Sequence, residues 1–178
     1  MERNSRDFLP RIKTINSNAE HLCDLLRTRS HASLSSDDPS SSRVIKEVLY
    51  PKFISPENYL RSRRAAPPSS SPLSPHSSEE ENGRFGGLFS LTFTHPAAAQ
   101  AFFDTLACAK GPSLGTNFTL ACPYVVLAHY AEMDWAETFG VERTLVRVSV
   151  GMEEQGVLTR WFGEAVDAAE RAVRVAKE

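Results

Sequence analysis

Residues 145–151 read Leu-Val-Arg-Val-Ser-Val-Gly, a strand-like segment with an arginine among apolar residues. Side chains alternate between the two faces of a β-strand, so the three valines share one face while Leu145, Arg147 and Ser149 share the other. The valine face is therefore predicted to pack on a core. A guanidinium on the other face indicates an anion, since its planar fork of donors matches a carboxylate. Taken alone, the segment fits equally an arginine on a solvated sheet face, which is the more common situation.

The remainder of the chain alternates helical and strand-like patterns. Apolar residues recur at three- and four-residue steps over residues 8–26, which predicts a long helix with Pro10 in its first turn. Residues 44–49 predict a short strand and residues 56–63 a short helix. Residues 87–94 alternate apolar and polar side chains, as in a half-buried strand. The stripe of the first helix comprises Phe8, Ile12, Ile15, Ala19, Leu22 and Leu26.

Two further helices complete the pattern. One is predicted to begin at Pro96, to bury Ala98, Phe102 and Leu106, and to be closed by Gly111. The last begins at Glu153 and carries the apolar stripe Leu158, Trp161, Ala165, Ala168 and Ala172. These elements predict an α+β fold, in which a small and mainly antiparallel sheet has helices on one face and is entered by the long N-terminal helix.

The order of motifs around Arg147 resembles a known enzyme family. Residues 113–115 read Ser-Leu-Gly, residues 123–129 run from a proline to a histidine, and the arginine strand follows. This order and spacing resemble the C-terminal part of the pyridoxal-phosphate (trans-sulfuration) enzymes of cysteine and methionine metabolism. Residues 111–124 and 130–135 look most like fungal cystathionine gamma-synthases. Similar stretches near residues 4–8, 15–20 and 47–52 extend the resemblance over nearly the whole chain.

The resemblance implies the C-terminal domain of fold type I pyridoxal-phosphate transferases. Residues 1–30 would form the linking helix, residues 31–42 a polar insert, and residues 43–178 the small domain with a disordered insert at 65–82. Serine, proline and acidic residues dominate the inserts, which cannot bury enough apolar area to offset chain entropy.

The resemblance also assigns roles to particular residues. Arg147 would clamp the α-carboxylate of an amino-acid substrate, Ser113 and Leu114 would line the same binding site, and Ser149 would steady the arginine. We expect the guanidinium to be held out of water, in which case leaving its partner unpaired costs roughly 3–5 kcal/mol.

The cofactor implied is pyridoxal 5'-phosphate, which the family holds as a Schiff base on a lysine in a Ser-x-Thr-Lys setting. No lysine here has that setting, so we expect an N-terminal domain outside this chain to bind the cofactor. No residue of the chain is predicted to be catalytic, cofactor-binding or metal-binding. The lysines are Lys13, Lys46, Lys52, Lys110 and Lys177.

The implied function is that of a C-terminal portion of an enzyme that joins an O-acylhomoserine and cysteine into cystathionine, inactive by itself. The acyl group stays open. Two alternatives are a fragment of a cystathionine gamma-lyase-like enzyme and a non-catalytic domain that binds a full-length relative. Pro112 and Ala128 depart from the glutamate and threonine that some relatives carry at these positions, so the polarity of the site differs from theirs.

Composition excludes several other classes. A formal net charge of -2 does not favour nucleic-acid binding, and neither a membrane-spanning segment nor a secretory signal is present, so a cytoplasmic protein is expected. Cys23, Cys108 and Cys122 form neither an even disulfide set nor a paired metal-ligand spacing. His129 is predicted to be structural, for lack of a partner at ligand spacing. The expected partners are the amino-acid substrate and either a second copy of the chain or a full-length relative.

Overall fold

A five-stranded sheet organises the computed structural model, which describes residues 2–33, 43–62 and 84–176. The strand order is β1-β2-β5-β4-β3, and every neighbouring pair is antiparallel except β3 and β4. The strands are β1 (Ile45–Leu49), β2 (Leu88–Phe93), β3 (Ala109–Lys110), β4 (Leu120–Cys122) and β5 (Val146–Ser149). The α+β fold with a mainly antiparallel sheet, expected from the sequence, is confirmed.

Seven α-helices and two short 3-10 helices accompany the sheet in the described residues. The α-helices are α1 (Glu2–Ser5), α2 (Phe8–Thr28), α3 (Pro56–Ser62), α4 (Pro96–Thr105), α5 (Tyr124–Ala128), α6 (Met133–Glu137) and α7 (Gln155–Val175). The 3-10 helices are His31–Ser33 and Tyr130–Glu132. Among the described residues, no helix is long and apolar enough to cross a membrane.

The main core lies between one face of the sheet and the helices α2, α4 and α7. On β2, Phe89 and Phe93 are almost fully buried, and their rings contact those of Phe162 in α7 and Phe102 in α4 respectively. Val146, Val148 and Val150 are buried in the same core, as the alternation of the arginine segment predicts. Arg147 therefore faces away from this core.

Strand β1 does not follow a simple alternation, because its pairing with β2 shifts between Ile45 and Glu47. Such a bulge places an extra residue in one strand and leaves two neighbouring side chains, here Lys46 and Glu47, exposed. The predicted strand at 44–49 is otherwise present.

The two long terminal helices differ in detail from the sequence prediction. Phe8 was placed in the buried stripe of α2 but is 51% exposed, since the buried positions of this helix begin only at Ile15. In α7 the side chain in the core is Phe162, whereas Trp161 is only half-buried. The buried set of α7 is Leu158, Phe162, Ala165, Val166 and Ala169.

Helix α4 ends earlier than predicted, at Thr105 and not at Gly111. Leu106 adopts an extended backbone that buries its side chain, and the Lys110 ammonium donates to the carbonyl oxygens of Phe103 and Leu106. The end of the helix is thus satisfied by a lysine that follows it. This leaves residues 109 and 110 free to form the edge strand β3.

The two predicted inserts fall largely outside the described residues. Of the insert at 31–42, the first three residues form the 3-10 helix His31–Ser33, and residue 43 lies beside it in contact with Ser30 and Ser33. Residues 34–42 and the insert at 65–82 lie outside the described ranges, as does residue 63 of the helix predicted at 56–63.

Candidate functional site

Arg147 lies in the middle of the sheet, where it pairs with Ser90 of β2 and Cys122 of β4. Its Nη2 atom donates a hydrogen bond of 2.6 Å to the carbonyl oxygen of Pro112. Its Cζ atom lies 4.9 Å from the centroid of the Tyr124 ring, a geometry suited to a cation–π interaction. The guanidinium is therefore oriented by a hydrogen bond to a carbonyl and by its position over an aromatic ring.

The Ser-Leu-Gly motif forms an exposed turn immediately after Pro112. Gly115 has a φ of +70°, a left-handed conformation that favours glycine. Its N–H donates to the Ser149 Oγ atom over 3.1 Å, while Ser113 and Leu114 remain exposed. We call residues 113–115 the SLG turn. Pro112, which accepts the hydrogen bond of Arg147, directly precedes this turn, and the binding roles expected of Ser113, Leu114 and Arg147 stay predictions.

Ser149 contacts a different partner from the one expected. Its hydroxyl accepts the Gly115 N–H, and the described hydrogen bonds include none between Ser149 and Arg147. Ser149 is buried, so this contact is shielded from water. The serine steadies the SLG turn, and the arginine is steadied by Pro112 and Tyr124 in its place.

Alternate residues of β5 and its continuation hold successive points of the loop 112–119. Arg147 binds Pro112 and Ser149 binds Gly115, as described. Two positions on, Gly151 passes so close to the loop that an added Cβ would overlap the backbone of Phe118. At Glu153 the carboxylate accepts the N–H of Thr119 over 2.6 Å and the Thr119 hydroxyl over 2.8 Å. Alternate residues of the segment 147–153 therefore position the whole loop.

The charge of Arg147 has no opposite charge nearby in the described part of the chain. Its hydrogen-bond acceptor there is a neutral carbonyl, and the ion pairs found in the described ranges do not include it. The side chain is half-buried, so the expectation that the guanidinium is held fully out of water is not met in this chain. Remaining N–H donors can still pair with a carboxylate, because a guanidinium carries five of them.

Cys122 faces Arg147 across the strand pair but is not a reactive thiol. Burial raises the pKa of the Cys122 thiol, and the positive charge of Arg147 lowers it by a smaller amount. The net effect keeps the sulfur protonated at neutral pH. All three cysteines are free thiols, and Cys23 and Cys122 are buried.

His129 has a carboxylate neighbour that the sequence reading overlooked. Its Nδ1 atom lies 2.8 Å from Glu132 Oε1, and its ring makes an edge contact with Tyr124. In the described residues no cluster of three or more potential ligands could hold a metal ion. His129 thus contacts the aromatic side of the site, and the structural role expected of it stays a prediction.

Sequence reasoning missed three contributors to this site, namely Tyr124, Thr119 and Glu153. Tyr124 begins a five-residue helix, and Thr119 precedes a three-residue strand, both too short to show a period. The sequence predicts Glu153 only as the start of the last helix, whereas α7 begins at Gln155. The signal for its role is its position, since Glu153 follows Arg147 and Ser149 at two-residue steps along the chain.

A cavity of about 300 Å³ lies elsewhere on the sheet, between α4, α5 and the start of β5. Its walls include Phe103, Val126 and Arg143, and Arg147 does not line it. We locate the candidate site by the contacts of Arg147, because Arg143 already pairs with Asp134 and Glu137.

Sequence comparison relates the chain to fungal enzymes. It is 52% identical over 172 residues to a cystathionine gamma-synthase-like enzyme, iboG2, of Amanita muscaria, and 42% identical over 170 residues to cystathionine gamma-synthase of Neurospora crassa. These alignments cover 97% and 96% of this chain but 26% and 23% of the relatives, so the chain spans about a quarter of their length. No protein-family model matches the chain.

Structural comparison shows the same fold in bacterial enzymes. A crystal structure of cystathionine gamma synthase from Xanthomonas oryzae in complex with cystathionine superposes with a TM-score of 0.68 at 21% identity, covering 96% of this chain and 37% of that one. A cystathionine gamma-lyase from Lactobacillus plantarum complexed with L-serine gives 0.67 at 16% identity, with 94% and 37% covered. The chain resembles a C-terminal part of cystathionine gamma-synthase-like enzymes in sequence and shares the fold of the bacterial proteins.

Proposed function

From the similarity of this chain to a C-terminal part of fungal cystathionine gamma-synthases, we propose that it supplies the carboxylate-binding side of a pyridoxal-phosphate trans-sulfuration enzyme. The observation that carries the proposal is the placement of Arg147. Its guanidinium lies beside the SLG turn, is oriented by Pro112 and Tyr124, and has no carboxylate partner in the described residues. An oriented cation without a partner is suited to an anionic ligand.

The geometry indicates how an amino acid would be held. With its Nη2 atom on the Pro112 carbonyl and its Cζ atom over the Tyr124 ring, the guanidinium keeps further N–H donors for a ligand. A carboxylate bound there in a bidentate manner is fixed in both position and plane. Fixing that end of the substrate determines where the bonds to its α-carbon point, which is the contribution to catalysis that orientation makes.

Under the proposal, none of the lysines in the described ranges is assigned to the cofactor. Lys46 and Lys52 pair with carboxylates, and the Lys110 ammonium caps α4. Lys13 lies exposed on α2, outside a Ser-x-Thr-Lys setting. Enzymes of the cystathionine gamma-synthase family use pyridoxal phosphate. Under the proposal, another domain of the complete enzyme holds it, and we assign it to no residue of this chain.

The reaction we propose for the complete enzyme is the formation of cystathionine from an O-acylhomoserine and cysteine. Support comes from the names of the fungal relatives, which are 42–52% identical to this chain. The alternative reaction, γ-elimination by a cystathionine gamma-lyase-like enzyme, would use the same contact between Arg147 and the substrate carboxylate. Assays of an intact enzyme with O-acylhomoserine plus cysteine, and with cystathionine alone, separate the two reactions.

The proposal is tested on this chain by titration with L-homoserine, followed by NMR at the Gly115 amide and the Arg147 Nε–H. The decarboxylated analogue 3-aminopropan-1-ol serves as the probe without a carboxylate. We expect weak, carboxylate-dependent binding that Arg147→Ala reduces by roughly tenfold, the lower end for hydrogen bonds to a charged group, because the arginine is half-exposed.

Arg143→Ala is the matched control variant. It removes an arginine four positions away that pairs with Asp134 and Glu137 and does not contact the SLG turn. Equal loss of binding in the two variants, or equal binding of the two probes, would contradict the proposal.

A further inference from the structure

We infer that Glu153 is a positioning residue for the carboxylate site, which it controls by clamping the far end of the loop that carries the SLG turn. The effect of Glu153 on ligand binding rests on the proposed function. Its effect on the loop does not depend on a ligand, since it concerns only the contacts that hold the SLG turn next to Arg147.

The clamp is a two-point contact made by one carboxylate. Glu153 Oε1 accepts the Thr119 N–H over 2.6 Å, and Oε2 accepts the Thr119 hydroxyl over 2.8 Å. The Thr119 Oγ atom in turn accepts the Gly151 N–H over 2.9 Å. Thr119 is 1% exposed, so the contact is shielded from competing water. Hydrogen bonds to a charged acceptor in such a setting are stronger than neutral ones.

A second tie fixes the segment that carries the carboxylate. The Nδ2 group of Asn18, in α2, donates to the carbonyl oxygens of Gly151 and Glu153 over 3.1 and 2.8 Å. Asn18 is 3% exposed. The backbone at Glu153 is therefore anchored to the first long helix, while its side chain reaches to the loop. This arrangement makes the position of Thr119 depend on a rigid helix and not on the loop alone.

The clamp matters for the SLG turn because the turn has few anchors of its own. Ser113 and Leu114 are exposed, and the turn is joined to β5 by one hydrogen bond, from the Gly115 N–H to the Ser149 hydroxyl. Three residues lie between Gly115 and the clamped Thr119, and one of them, Asn117, accepts the N–H of Met152 over 2.8 Å. Releasing Thr119 leaves this backbone contact as the tie beyond the turn, and we expect the Gly115 and Pro112 contacts to weaken together. Pro112 is the acceptor that orients Arg147.

The experiment compares Glu153→Ala with Glu154→Ala, a neighbouring glutamate that is exposed and precedes α7. Amide hydrogen exchange and the Arg147 Nε–H resonance are recorded for the folded chain, with thermal unfolding alongside. In Glu153→Ala we expect at least tenfold faster exchange at Thr119, at least threefold faster exchange at Gly115, and a displaced Arg147 resonance. Glu153→Gln, which keeps one acceptor oxygen, should be intermediate, and Glu154→Ala should match the parent chain.

Thr119→Val provides a second route should Glu153→Ala fail to fold. It removes the hydroxyl contact while keeping the backbone N–H and the side-chain shape, and faster Gly115 exchange is again expected. A lower melting temperature with an unchanged Gly115 exchange rate and an unchanged Arg147 resonance would overturn the inference and leave Glu153 a purely structural residue. Absence of homoserine binding in the parent chain would instead refute the proposed function, and the exchange comparison would still decide the role of Glu153.

Discussion

The Nη2 atom of Arg147 lies 2.6 Å from the carbonyl oxygen of Pro112, 35 positions earlier in the chain. This contact joins the central strand of the sheet to the loop that leaves β3. It holds the guanidinium next to the SLG turn without neutralising its charge, because a carbonyl oxygen carries no formal charge. This site leads to two predictions, on Tyr124 and Gly151, and the rest of the fold leads to two more.

The aromatic ring beneath Arg147 should contribute to binding through its face and not through its hydroxyl. Tyr124→Phe keeps the ring and should bind L-homoserine as the parent chain does. Tyr124→Leu removes the ring and should weaken binding about two- to fivefold, as expected for a cation–π contact of ~0.5–1 kcal/mol at a half-exposed site. An NMR titration of both variants measures the difference. Equal weakening by the two would assign the effect to the hydroxyl.

Gly151 should not tolerate a side chain. An alanine Cβ would overlap the backbone of Phe118, which cannot move aside without disturbing the clamped loop. We expect Gly151→Ala to lower the free energy of unfolding by about 1–3 kcal/mol, as overpacking does. Gly163→Ala is the control, since no atom lies within 4 Å of its added Cβ in the interior of α7, and it should stabilise by ~0.5–1 kcal/mol. Urea unfolding of the two variants tests both signs.

Truncating an apolar side chain of α7 to alanine should destabilise the fold according to its observed burial and not according to the predicted stripe. Phe162 is fully buried between Phe89 and Phe102, so Phe162→Ala should cost about 3–5 kcal/mol. Trp161 is only half-buried and should cost ~1–2 kcal/mol when truncated to alanine. Chemical denaturation of both variants gives the comparison. A larger loss of stability for Trp161→Ala than for Phe162→Ala would contradict this and support the buried stripe that the sequence pattern predicts.

Protonation of Glu20 in acid should lower the stability of the protein. Burial alone would raise the pKa of this carboxyl, but hydrogen bonds and charge attraction from Lys52 and Arg84 outweigh burial and lower it. A carboxyl whose pKa is lower in the folded state stabilises the fold above its ordinary value of 4.5, and that stability is lost as the pH falls through the folded-state pKa.

We therefore expect Glu20→Gln to reduce the free energy of unfolding near pH 6 by ~0.5–1 kcal/mol and to have a smaller effect near pH 3. Urea unfolding at the two pH values measures this difference. Glu57→Gln, on the exposed helix α3, is the control variant and should leave the free energy of unfolding near pH 6 unchanged. A pH-independent effect of Glu20→Gln would show that the ion pairs do not stabilise the fold.

Local patterns in the sequence predicted those parts of the fold that have a clear period. Alternation over residues 87–94 and 145–151 assigned Phe89, Val146 and Val148 to the core and Arg147 to the opposite face, and the structure agrees. Long helices were located because several turns repeat the same apolar spacing. Strands β3 and β4 were missed, since two or three residues cannot display a period. The bulge in β1 was missed because it depends on pairing with β2.

The sequence by itself determined which side chains share a face and which motifs follow one another, because these depend on the regular geometry of a strand or a helix. It brought Arg147, Ser113 and Leu114 into one prediction through motif order, and their roles in binding stay predictions. Only the tertiary structure decided that Arg147, Ser149 and Glu153 each hold a different point of one loop. The physical reason is that hydrogen bonds between distant segments depend on the position of one segment relative to another, which no local spacing specifies.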